Sequence, residues 1–143
     1  MKVEELARVS NAFNRLKNHH WVMSGNLAGR MHAYYSGMKF PKPREYNFVV
    51  SNKNIFSNKL LQLGYNLNTT KSSRKFSTFT KRNERPIVIR STVNRPKSVT
   101  YTKYRIHSLP ELVKSNPNKF KKILETRKSI ERLVFEKLNP NIN

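Results

Sequence analysis

Cysteine and aspartate are both missing from this 143-residue chain, and its 8 acidic residues are all glutamate. Without cysteine there is no disulfide framework, no thiol nucleophile and no thiolate zinc site. With so few acids, none well placed, a Ser-His-acid triad has nothing to recruit. No apolar run approaches the roughly 20 residues that a membrane-crossing helix needs. The opening MKVEELARVSNAF carries two early glutamates, which suits neither a secretory signal nor a transit peptide. These absences lead us to expect a soluble intracellular or virion protein with no signal peptide and no transmembrane segment.

What is present is positive charge. Lys and Arg number 29 against the 8 glutamates, a net charge of +21. Charge of that size works against a compact state unless an anion neutralises it. The expected partner is DNA or RNA, with acidic protein neighbours in an assembly as the second choice. Hydrophobic residues make up only 36% of the chain, but 10% aromatic content argues against disorder. The length fits one small domain with a modest core.

Periodicity divides the chain. Leu6, Val9, Phe13 and Leu16 give residues 3–18 a helical stripe. WVMS reads as a short buried strand ending at Gly25, followed by a helix to Tyr35 that stops before the KFPKPR loop. EYNFVV is the best strand, and Ser51 or Asn52 can cap the helix after it, with Gly64 as its stop. GYNLNTT is a weaker strand, and NTTKSSR reads as a flexible basic bridge. KFSTFTKR, RPIVIRSTV and SVTYTKYRIHS read as three strands of an antiparallel meander. Ser108 and Glu111 form a capping box ahead of a short helix. A long helix then runs from Lys119 to Leu138, with Phe120, Ile123, Leu124, Ile130, Val134 and Leu138 as its inward stripe. The fold class is therefore a single α+β domain with a mixed or antiparallel sheet. Residues 1–108 form its core and 109–143 its C-terminal helical segment.

WVMSGNLAGRMHAYY followed by REYNFVVS resembles the core of the nucleotidyltransferase fold, most closely the AbiEii-type toxin nucleotidyltransferases. The later IHSLPELVKSNPNKFKKILETRKSIERL is similar to that group's helical stretch after the sheet. In that family a glycine turn approaches the triphosphate, and acids on the next strands hold divalent metals. Carried over, the resemblance makes Gly25 the turn glycine and puts Asn26 where Ser or Gly is usual. Glu45 falls on the first strand acid, Asn47 on the second and Arg90 on the third. One carboxylate beside Arg44, with an amide and a guanidinium at the other positions, is a poor two-metal site. The resemblance thus implies a scaffold whose catalytic acids are largely gone: Glu45 and Asn47 are vestigial, there is no catalytic residue, and no metal or cofactor is called for. A divergent active enzyme built on Glu45 is the minor alternative.

His19, His20, His32 and His107 do not suggest a converging metal set. A weak phosphate site at Gly25, Asn26 and Arg30 is possible, because free backbone N–H groups at a helix start favour anions. The strongest signal is the basic stretch 71–105. Its expected nucleic-acid contacts are Lys71, Arg74, Lys75, Lys81, Arg82, Arg85, Arg90, Lys103 and Arg105, with Tyr101 as a base-stacking ring. If Val99 to Arg105 is one strand, Tyr101, Lys103 and Arg105 share a face. The expected function is a non-catalytic, nucleic-acid-binding component of a nucleoprotein or virion. The alternative is a structural subunit of a large assembly, such as a viral capsid or an organellar ribosome.

Overall fold

The computed structural model describes residues 3–101 and 104–138. Five helices and seven strands run in the order α1 (Val3–Asn14), β1 (Trp21–Met23), α2 (Gly25–Tyr35), β2 (Tyr46–Val50), α3 (Lys53–Gln62), β3 (Asn66–Asn68), β4 (Phe76–Thr80), β5 (Ile87–Ser91), β6 (Ser98–Tyr101), β7 (Tyr104–His107), α4 (Leu109–Ser115) and α5 (Pro117–Leu138). One mixed sheet carries all seven strands in the order β3-β4-β5-β2-β1-β7-β6. The α+β reading therefore holds.

The register fixes which side chains share a face. Trp21 pairs with Val50 and Met23 with Phe48, while Tyr46 and Phe48 lie beside Ile87 and Ile89 across the parallel β2–β5 pair. These residues, with Phe79 and Ile106, belong to one continuous core that also takes in residues from all five helices. Phe13 of α1 meets Trp21, Phe48 and Phe56 edge to face at its centre. Alternating with these, Val22, Asn47, Val49, Thr78, Val88 and Arg90 turn the other way, and none joins that core. Among the described residues the helices thus pack on one face of the sheet and leave the second without a helical layer, although Val22, Thr78 and Val88 are buried there.

Local chemistry sets the element ends. Asn52, rather than Ser51, caps α3 by accepting from the Ile55 N–H at 3.2 Å. Gly64 stops that helix with a φ of +93°. Ser108 accepts from the Glu111 N–H at 3.4 Å, as its capping box leads one to expect. The NTTKSSR segment is a hydrogen-bonded turn: the Asn68 side chain accepts from Thr70 and Lys71, and the Ser72 hydroxyl donates to the Asn68 carbonyl.

Three expectations are corrected. β4 and β5 pair antiparallel, but the meander stops there, because β5 lies parallel to β2 and β6 lies on the far edge. Burial explains this: Ile87, Val88 and Ile89 are all buried and suit the sheet interior, whereas β6 is largely exposed and suits an edge. SVTYTKYRIHS is two strands rather than one, with Tyr101 paired to Tyr104 and Thr100 to Arg105. Tyr101 and Arg105 consequently fall on opposite faces, and Lys103 lies outside the described residues. Finally, the stripe of α5 outruns the domain. Phe120 and Ile123 are buried, but Ile130, Val134 and Leu138 are exposed.

Candidate nucleic-acid interface

The face without helices is organised along β2. Tyr46, Phe48 and Val50 are buried in the core, so strand alternation sends Asn47 and Val49 to this side, half-buried. Gly25 holds the start of α2 against the strand. Its φ is +55°, and a Cβ built on it would meet Asn47 Nδ2 at 3.7 Å. The space would admit a methyl group, so here it is the left-handed backbone that requires glycine.

Two recesses open beside these residues. The first, of about 340 Å³, is lined by Asn26, Pro41, Lys42, Arg44, Glu45 and Asn47. The second, of about 350 Å³, is lined by Val49, Thr92, Asn94, Arg95, Pro96, Lys97, His107 and Glu111. Asn47 and Val49 are successive on this face, so the recesses adjoin at roughly 7 Å along the strand. Arg90 lies beside Val49 on the neighbouring strand, exposed, with its guanidinium carbon 4.9 Å from the centre of the Phe76 ring. Five cations thus meet two carboxylates, and one of those, Glu111, is also 3.7 Å from Lys114.

Gly25, Asn26, Glu45 and Asn47 lie close together at this end of β2. The parallel register sets the buried Val88 beside Asn47 and Arg90 beside Val49. One carboxylate, one amide and one valine do not fit a pair of divalent cations, and Lys42 and Arg44 line the same recess. Among the described residues no group of three His or Glu side chains could hold a metal ion.

The remaining expected contacts scatter. Arg74 and Lys75 are exposed just before β4, near Arg90, because Phe76 pairs with Arg90. Lys71 is exposed in the turn after β3. Lys81, Arg82 and Arg85 follow the other end of β4, roughly 14 Å away along the strand. Lys81 donates to the Leu63 carbonyl at 2.9 Å and lies 5.4 Å from the centre of the Tyr65 ring. Arg85 donates to the Pro43 carbonyl and Arg30 to the Phe40 carbonyl. Arg105 leans on Trp21, its guanidinium carbon 5.6 Å from the centre of the ring system. These four cations hold loops and strands together, while Arg82 is exposed.

Tyr101 is also occupied. Its ring stacks on Tyr35 at 4.2 Å, and its hydroxyl lies between Arg127 and His32 Nδ1, the latter at 3.2 Å. His32 Nε2 is 2.6 Å from the His107 carbonyl, which can only accept, so Nε2 carries the proton and Nδ1 accepts from Tyr101. Burial, seconded by the Arg127 charge, holds His32 below the ordinary imidazole pKa despite that backbone bond. Burial also lowers His107, against the pull of Glu111.

Lys42 and Arg44, which line the first recess, lie outside the basic stretch 71–105, whereas Arg95 and Lys97, which line the second, lie within it. The first pair could have been found from KPR directly preceding the strand that carries Asn47. The second pair lies in a loop whose place over β2 depends on the sheet order. Among the described residues, no helix is long and apolar enough to cross a membrane. In comparisons with known proteins, no family model, no curated protein and no solved structure matches this chain.

Proposed function

We propose that this chain is a non-catalytic nucleic-acid-binding protein that grips the phosphate backbone with the helix-free face of its sheet. The observation that carries the reading is the pair of adjoining recesses along β2, where Lys42, Arg44, Arg90, Arg95 and Lys97 outnumber Glu45 and Glu111. Exposed cations along a shallow face suit a polyanion better than a small ligand, and such binding is mainly electrostatic and indifferent to sequence. A degenerate nucleotidyltransferase-like fold is part of this proposal. It is supported by the β1–Gly25–α2–β2 order, by antiparallel β1 and β2, and by the contact between the Gly25 turn and Asn47. Loss of catalysis is supported by the donor set, a single carboxylate beside two cations.

The test is the affinity for labelled duplex DNA and single-stranded RNA over a salt series. Tight binding that weakens linearly on a log–log plot is the expected result. Weak binding to both at low salt overturns the proposal and returns the charge to an acidic protein neighbour in an assembly.

A further inference from the structure

A recess of about 400 Å³ opens on the helical side of the sheet, within the size range of small-molecule pockets. Its floor is built from core residues, since Leu6 of α1, Met31 of α2 and Tyr104 of β7 are all buried. Its rim is aromatic and cationic. Tyr34 and Tyr35 stand there 74% and 41% exposed, and Arg30 and Lys42 share the lining. Among the described residues no carboxylate lines it.

The rim is fixed in place. Tyr101 backs Tyr35, the two rings stacked at 4.2 Å, and Tyr34 meets Tyr35 edge to face at 5.3 Å. Arg30 is held by its bond to the Phe40 carbonyl. A wall of rings already ordered loses little freedom when a flat ligand settles on it. Rings that stack and cations that attract an anion together match a nucleotide unit, with its planar base and its phosphate.

Lys42 joins this recess to the candidate interface. It lines the aromatic recess and also the first recess of the helix-free face, where Arg44 is its neighbour. A backbone gripped on that face therefore passes the mouth of the aromatic recess. Bases inside a duplex are paired and stacked and must be extruded to reach a side pocket, whereas those of a single strand are already available. We propose that the Tyr34–Tyr35 recess receives an unpaired base of a single strand whose phosphates run over Lys42 and Arg44. This rests on the phosphate-gripping reading above and adds to it a contact that only an unpaired base makes. Stacking accepts every base, so the contact carries no strong sequence preference.

The test is an anisotropy titration of the full chain with labelled oligothymidylate of roughly 12 nucleotides, an abasic strand of the same length, and a duplex. The parent should bind oligothymidylate at least about fivefold more tightly than the abasic strand. Tyr34→Ala should lose that advantage while keeping its affinity for the abasic strand and the duplex. Tyr34→Phe, which retains the ring, should bind like the parent. Tyr34 is exposed, so both variants should keep their circular dichroism and melting temperature. A parent that binds the abasic strand as tightly as oligothymidylate overturns the proposal and leaves the phosphate-gripping reading standing. A Tyr34→Ala chain that keeps its full affinity for oligothymidylate, or that loses equally on every probe, overturns it in the same way. A parent that binds none of the probes at low salt overturns both.

Discussion

Replacing Lys42, Arg44, Arg95 and Lys97 together by glutamine removes four of the five cations on the helix-free face. All four are exposed, so folding should survive. If each contacts one phosphate, the log–log salt slope should fall in magnitude by about 3.6 on duplex DNA, or by about 2.8 on a single strand. Extrapolated from 1 M salt to 0.1 M, one decade, those slopes correspond to losses of roughly 4,000-fold and 600-fold. The assay is fluorescence anisotropy of labelled oligonucleotides between about 50 and 200 mM salt, where such contacts change affinity most visibly. The matched control removes the same charge from α5, by glutamine at Lys119, Lys121, Lys122 and Lys128, all exposed. That variant should keep most of the affinity and slope. Equal losses in the two variants would show that net charge alone matters and that the face is no site. An unchanged slope in the first variant would remove these four residues from the contact.

Further outcomes follow from the same geometry. Glu45→Gln should bind nucleic acid as tightly as the parent or several-fold more tightly, since it removes a carboxylate from a basic recess; a large loss in the same titration would give Glu45 a positive role. Gly29→Ala should destabilise the fold by up to about 2 kcal/mol in thermal unfolding. A Cβ there would lie 2.5 Å from Phe120 Cε1, and overpacking of about 1–3 kcal/mol outweighs the ~1 kcal/mol gained in helix propensity. A variant more stable than the parent would refute this close packing of α2 on α5. Burial tends to raise the Glu84 carboxyl, but the nearby Tyr65 hydroxyl, the hydrogen bond from Arg8 and the charges of Arg8 and Lys81 hold it below its ordinary 4.5. Its stabilisation is therefore complete above that value and lost as pH falls through the lower folded one, so Glu84→Gln should flatten the acid limb of a stability–pH curve. His32 is lowered from 6.5, so the unfolded chain binds its proton first and stability falls as pH drops below 6.5. In His32→Gln part of that fall should vanish, and an identical pH profile would exclude His32 as its source.

Much of the fold was legible because its cues are local. Apolar spacing marked the helices, Gly25 and Gly64 marked turns, and the Asn52 and Ser108 caps are written in single residues. Strand neighbours were not legible, since β2 meets β5 through a parallel pairing that no turn specifies. The break between Tyr101 and Tyr104 was hidden because no glycine or asparagine announces it. The site was half legible for the same reason. Gly25, Asn26, Glu45 and Asn47 meet through one β-α-β unit, whereas Arg95 and Lys97 reach β2 only through the sheet order. Counting cations also could not separate Lys81 and Arg85, which are tied to backbone carbonyls, from Lys42 and Arg44, which are exposed.

The partnership of Met23 with Ile106 has a consequence for synthesis. β1 is buried at all three positions, yet its second neighbour leaves the ribosome only after more than eighty further residues. Until then one edge of an apolar strand stays unpaired, open to pairing with other chains. A nascent chain arrested before Tyr104 should be the aggregation-prone species. Pairing over so long a stretch of sequence should also make completion of the sheet a late, slow event in folding.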